Sequence, residues 1–145
     1  LSIGSGDDQD GMGSTYRAYF PKAESYTTSE VTDDFDTDLV IDTRSMPQIA
    51  DASYDGIFCS GVLEHVDDYH AAYKEITRIL SPGGILLLGL PFRQALHMHP
   101  QDFWRFTEFG IRFMLKDDYE IKVIDGIDNR VEDFPASYWC KARKL

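Results

Sequence analysis

Cysteine is scarce in this chain: only Cys59 and Cys140 occur among 145 residues. Both sit inside apolar, strand-like runs, which argues against a disulfide scaffold and for buried, reduced thiols in a cytoplasmic protein. Basic residues are also few, with 14 Lys and Arg against 25 Asp and Glu and a formal net charge of −11. An acidic surface repels phosphate backbones, so no nucleic-acid partner is expected. The one basic cluster, Lys141, Arg143 and Lys144, reads as a solvated terminus. No apolar run approaches the roughly 18–20 residues that span a bilayer, and no signal peptide is seen, so no membrane partner is expected either. Internal repeats, low-complexity tracts and interdomain linkers are absent, and residues 1–145 read as a single domain.

What is present is a globular composition, 43% hydrophobic and 13% aromatic. Its clearest stretch runs from Tyr54 to Leu90. Ile57-Phe58-Cys59 and Ile85–Leu90 are apolar runs without alternation, the pattern of strands buried on both faces of a parallel sheet. Between them Tyr69, Ala72, Tyr73, Ile76, Ile79 and Leu80 recur at helical spacing, with Asp67 or Asp68 placed to cap the start. Pro82-Gly83-Gly84 is expected to stop the helix and turn the chain. Strand, helix and strand form one right-handed crossover unit. Ligands of such sheets bind beyond the carboxyl ends of the strands, here Ser60 to His65.

Upstream, Leu1-Ser2-Ile3 reads as the end of a first strand, and a short helix is expected from about Ser14 to Phe20, before Pro21. Tyr26–Val31 and Leu39-Val40-Ile41 read as the second and third strands. The acidic connection between them, Thr32 to Asp38, is too short for a long crossover helix, so either the helix is lost or the register is unusual. Met46–Ala52 has room for one or two helical turns. Downstream lies a long loop, Pro91 to Arg105, then a helix capped by Thr107 and running to about Leu115. Two last strands, Tyr119–Ile124 and Tyr138–Arg143, complete the pattern.

The chemistry-bearing residues stand at strand ends. Gly4-Ser5-Gly6 lets the backbone turn tightly and approach a ligand. Glu30 ends the second strand, where an acid accepts hydrogen bonds from a ribose diol, and Asp42 ends the third in the same way. Together they indicate a nucleoside-containing ligand. A nicotinamide dinucleotide is disfavoured, because Gln9 stands where the fingerprint requires its third glycine. His65 and His99 are candidate general bases, since imidazole titrates near neutrality. His97, His99 and Asp102 have a spacing compatible with a metal, but no cysteine or second His pair supports them, so none is expected. Phe103, Trp104 and Phe106 read as aromatics that cover the core rather than as a substrate cage.

The segments Asp42-Thr43-Arg44-Ser45-Met46-Pro47, Ser53-Tyr54-Asp55-Gly56-Ile57, Val62-Leu63-Glu64-His65-Val66 and Arg78-Ile79-Leu80-Ser81-Pro82-Gly83-Gly84 carry a family likeness. With the loop His99–Thr107, they make the chain similar to class I S-adenosylmethionine-dependent methyltransferases, in particular the type 11 group. The resemblance implies an α/β, Rossmann-like seven-stranded sheet of order 3-2-1-4-5-7-6. Its last strand is antiparallel and helices lie on both faces. It implies S-adenosylmethionine as cofactor and methyl transfer to a small-molecule acceptor, with a homodimer left open. Gly4, Ser5 and Gly6 would line the methionine moiety and Glu30 would bind the ribose. Asp42 would meet the adenine amine, the Thr43 amide would lie on the ring, and Ser60 and Gly61 would sit beside the transferable methyl. Two departures stand out. Ser2 replaces the family's usual acid and Asp8 its third glycine. The helix that usually precedes the first strand and covers the cofactor is also lacking, so the chain is either a fragment or has a more open site. A degenerate, non-catalytic binding or partner subunit is the alternative reading.

Overall fold

In the computed structural model, which describes residues 1–128 and 134–145, seven strands form one sheet. The strands are β1 (Ser2–Ile3), β2 (Thr28–Glu30), β3 (Leu39–Val40), β4 (Tyr54–Ser60), β5 (Leu80–Pro91), β6 (Tyr119–Ile127) and β7 (Ser137–Lys144). Their order across the sheet is β3-β2-β1-β4-β5-β7-β6. The pairs from β3 to β5 are parallel, and β7 is antiparallel to both β5 and β6. Among the described residues two α-helices accompany the sheet, α1 (Tyr69–Ile79) and α2 (Glu108–Leu115). The order and the antiparallel last strand agree with the expected topology.

Alternation along the strands divides the side chains between two unequal faces. Leu86, Leu88 and Leu90 of β5, Ile57 and Cys59 of β4 and Cys140 and Ala142 of β7 belong to one buried cluster. Ala72, Ile76 and Ile79 of α1 and Ile111 and Leu115 of α2 fill the same cluster. Phe58 and Trp139 point the other way and stack on each other, with ring centroids 5.7 Å apart. Tyr16 and Phe20 pack on Phe58 from a single 3₁₀ turn, Tyr16–Tyr19, the only helical turn on that face among the described residues. One face thus carries both α-helices and the main core, while the other is covered thinly. A groove of about 590 Å³ opens there, lined among others by Phe20, Phe58, Leu87 and Lys141. Among the described residues, no helix is long and apolar enough to cross a membrane.

Local chemistry explains where elements start and stop. Asp68 accepts from the Ala71 N–H and caps α1, and Thr107 caps α2 through the Gly110 N–H. The helix expected over Ser14–Phe20 shortens to the 3₁₀ turn. The crossover helix between β2 and β3 is lost; Asp38 instead accepts from the backbone and hydroxyl of Thr28 at 2.8 and 3.0 Å and ties the two parallel strands together. Met46–Ala52 forms turns rather than helix. Arg78 of α1 holds that segment by donating to the Met46 and Ile49 carbonyls, and Glu75 accepts from the Met46 N–H. These fixed partners replace the helical ladder. Pro82-Gly83-Gly84 does not separate helix from strand: β5 begins at Leu80, and the register slips between Tyr54↔Leu80 and Gly56↔Ile85, so the three residues lie in a bulge.

Candidate functional site

The parallel strands present their carboxyl ends along one edge, and the glycine turn lies at its centre. Gly4 has φ +64° and a Cβ there would lie 2.3 Å from Val62 Cγ2, so only glycine lets β1 leave the sheet against the segment after β4. Ser5 is buried and serves the fold. Its hydroxyl donates to the Ser2 carbonyl and accepts from the Ser29 N–H. Gly6, at φ +50°, has open space around its α-carbon, and its N–H donates to Glu30 Oε1 at 2.8 Å. Glu30 Oε2 accepts from Val31 N–H at 3.1 Å. Two backbone donors therefore fix a half-buried carboxylate beside an open glycine surface, leaving lone pairs for further donors. Asp8 adopts φ +57°, the left-handed region that favours glycine.

At the neighbouring strand end Asp42 is already engaged. Arg44 donates to it through Nε and Nη2, the latter at 2.7 Å, and reaches Asp67 through Nη1 at 2.8 Å. These bonds hold the Asp42 carboxyl below the usual carboxylate range. Thr43 is buried in the turn that follows. After β4, Gly61 takes φ +67° and donates its N–H to the Gly89 carbonyl, so Ser60 and Gly61 stand where β4 leaves β5, which runs on to Pro91.

The next turn, a 3₁₀ segment Leu63–His65, meets the long loop after β5. Glu64 is 2% exposed although it is an acid, and its Oε2 has no hydrogen-bond partner among the described residues. Burial pushes its carboxyl up. Its carbonyl accepts from the N–H groups of Phe103 and Trp104. The His65 ring pairs through Nδ1 with the Gln101 carbonyl and meets the His97 ring edge-on, centroids 4.7 Å apart. Asp102 anchors the loop: it accepts from His97 N–H and from Arg105 Nη2, both at 2.8 Å. The Arg105 guanidinium holds the Asp102 carboxyl far below its ordinary range. Phe106 is buried, whereas Phe103 and Trp104 stay partly exposed, Trp104 donating to the Val66 carbonyl.

Comparison with known proteins places the fold. Residues 20–88 match the methyltransferase domain family. A putative methyltransferase of Haloferax volcanii, solved in complex with the activator Trm112, superposes with a TM-score of 0.73 at 19% identity, covering 98% of this chain and 79% of that one. The 1,6-didemethyltoxoflavin-N1-methyltransferase of Burkholderia thailandensis, solved with that substrate and S-adenosylhomocysteine, gives 0.71 at 17%, covering 100% and 70%. The [4+2]-cyclase SpnF gives 0.72 at 16%, covering 99% and 74%. No curated protein matches in sequence. This is a methyltransferase-like fold.

Within this methyltransferase-like fold, Glu30 and Ser60 close β2 and β4, and Gly4, Gly6, Asp42, Thr43 and Gly61 stand on the turns that follow β1, β3 and β4. Ser5 shares that turn but faces inward. His65 lies one turn further on. His99 is exposed, follows the left-handed Met98, and is not among the groups gathered around Glu64. The spacing of His97, His99 and Asp102 does not become one cluster: His97 turns toward Glu64 and His65 instead. Sequence reasoning missed Glu64 and Val62. The signal for Glu64 was an acid inside an apolar strand-to-turn run; nothing in the sequence signalled that the long loop would bring His97 to it.

Proposed function

We propose that this domain binds S-adenosylmethionine at the carboxyl ends of β1 to β4 and serves methyl transfer to a small-molecule acceptor. The observation that carries the reading is the pairing of Gly6 N–H with Glu30 Oε1 beside an open glycine surface. A carboxylate so fixed is preorganised to accept a ribose diol, and the absence of any Cβ at Gly6 leaves room for the cofactor. Bound there, the cofactor supplies an electrophilic methyl on a sulfonium. Gly4 and Gly6 would offer backbone to its methionine end, with Ser60 and Gly61 beside the methyl. Thr43 would offer its amide to the adenine, and Asp42 would accept from the adenine amine once Arg44 shares its carboxylate.

What remains for the chain is placement. Holding an acceptor in line with the methyl is worth roughly 7–11 kcal/mol of barrier without any proton transfer. His65 and His99 are the candidate bases for acceptors that must lose a proton, His65 being the nearer to Ser60 and Gly61 in the chain. The loop 92–107, which packs on the Leu63–His65 turn, would supply the acceptor wall through Phe103 and Trp104. A second reading is a degenerate domain that binds cofactor or a partner protein without transfer. Asp8 in place of glycine and the capture of Asp42 by Arg44 favour it. The Haloferax volcanii relative, solved with an activator, gives the partner version a precedent. Calorimetric titration with S-adenosylhomocysteine and, separately, NAD tests the cofactor. Saturable heat with the first and none with the second is expected, and the reverse would assign the site to a nicotinamide cofactor.

A further inference from the structure

The groups gathered by the Leu63–His65 turn and the long loop have a chemistry beyond the base role proposed for His65. One carboxylate oxygen of Glu64, one ring nitrogen of His65 and one of His97 lie within 4.8 Å of one another. His65 Nε2 and Glu64 Oε1 are 3.9 Å apart. Donors sharing one ion at bonds of about 2.0–2.2 Å stand roughly 3.4 Å apart, so side-chain shifts that shorten the separations by up to about 1.4 Å close the set.

Three further observations point to a ligand. Glu64 Oε2 is buried without a partner among the described residues, and an unpaired carboxylate oxygen away from water is costly unless a cation or donor meets it. His65 Nδ1 faces the Gln101 carbonyl and His97 Nδ1 faces the Ala95 carbonyl at 3.1 Å, which sets Nδ1 as the protonated nitrogen and leaves Nε2 as the free donor on each ring. This is the outer-shell arrangement that orients metal-bound imidazoles. Behind His97, Asp102 lies 3.5 Å from Nδ1 and is itself locked by Arg105, whose guanidinium also binds the Gln94 and Ala95 carbonyls. The segment carrying His97 is therefore held in place before any ion arrives.

We infer that Glu64, His65 and His97 form a site for one divalent transition-metal ion of the zinc class. Two imidazoles and one carboxylate suit Zn²⁺, Co²⁺ or Fe²⁺ rather than Mg²⁺ or Ca²⁺, which prefer all-oxygen sets. Three protein ligands leave at least one coordination position for water or an acceptor oxygen. The site adjoins Ser60 and Gly61 along the chain but shares no residue with the proposed cofactor cradle, so the inference does not rest on the methyl-transfer reading.

The test is titration of the chelator-treated chain with Co²⁺, read by its visible d–d absorption, and with Zn²⁺ by calorimetry. Binding of one ion per chain, with Mg²⁺ unable to compete, is expected. Glu64→Gln keeps the shape of the buried side chain, and His97→Ala alters a partly exposed one; each should weaken binding by at least about 10-fold. His99→Ala should leave it within about twofold, and circular dichroism of each variant shows that the fold is kept. Failure to bind Co²⁺ or Zn²⁺ below about 1 mM overturns the site. So does affinity unchanged in both Glu64→Gln and His97→Ala, or lost in His99→Ala.

Discussion

Gly6 donates its backbone N–H to Glu30 Oε1 at 2.8 Å, which ties the ends of the adjacent parallel strands β1 and β2 through the carboxylate that the ribose reading employs. Glu30 is thus both a fastener and a candidate ligand group. Glu30→Gln, which keeps an acceptor for the Gly6 N–H but loses the one for the exposed Val31 N–H, should melt between the parent and Glu30→Ala. Glu30→Ala leaves the Gly6 N–H without its partner and should melt lower. Melting of the two variants at the same temperature would show that the bond has no structural weight.

The turn at Gly4 should tolerate no side chain. A Cβ would overlap Val62 Cγ2 at 2.3 Å and would sit on a backbone at φ +64°. The left-handed conformation costs about 1–2 kcal/mol and the overlap about 1–3 more, so Gly4→Ala should lose about 2–5 kcal/mol in denaturant unfolding. Adding Val62→Ala should recover only the overlap. Parent-like stability of Gly4→Ala would contradict the close approach of β1 to the segment after β4.

Adjacent leucines of β5 should differ sharply because they face opposite sides. Leu88 is 1% exposed inside the main core, whereas Leu87 lines the groove on the thinly covered face. Leu88→Ala is expected to cost about 2–5 kcal/mol and Leu87→Ala about 1 kcal/mol or less. Equal losses would mean that the two faces are equally packed.

The thiols should be inert in the native state. Leu88 pairs with Cys59 on one side and Cys140 on the other, so a whole strand separates the two cysteines. Burial pushes Cys140 up to about 11 and Cys59 further. Reaction with a thiol reagent at neutral pH should be slow in both and fast after unfolding. Rapid labelling of either in the native protein would contradict this burial.

Acidification should loosen the Met46–Ala52 segment. The Arg78 guanidinium holds the Glu75 carboxyl below its usual range, so the folded state favours the charged form. A depressed folded value gives stability that is present above the ordinary Glu pKa of about 4.3 and lost as pH falls through the lower folded value. Glu75→Gln should therefore lower stability by about 1–2 kcal/mol at pH 7, the low end for a charged hydrogen bond that water can reach. Below about pH 4 that difference should shrink. A difference independent of pH would assign the loss to packing.

The parallel core was legible because its apolar runs and helical spacing were unambiguous: Ile57–Cys59, Tyr69–Ile79 and Ile85–Leu90 lie in the elements they imply, and only Leu80, read with the helix, falls in β5 instead. The strand order followed from family likeness, since nothing local in β7 says that it inserts between β5 and β6. The misplaced elements are those set by distant partners. Met46–Ala52 has helical room, but Arg78 and Glu75 capture its backbone; Pro82-Gly83-Gly84 reads as a stop, yet the bulge opposite Tyr54–Gly56 absorbs it. At the site, the residues at strand ends were readable because a strand end is a local property. The partnership of Glu64 with His97 was not, because a loop of no regular period closes it.

The central claim is that S-adenosylmethionine is held at the strand ends through Glu30, and calorimetric titration with S-adenosylhomocysteine of the parent and Glu30→Ala tests it most directly. Loss of two charged hydrogen bonds at about 1.5–3 kcal/mol each, partly offset by water, should weaken binding by about 30- to 1,000-fold. Saturable binding by the parent and that loss in the variant is the expected result. Parent binding that Glu30→Ala leaves unchanged, or no binding by the parent at all, would contradict it.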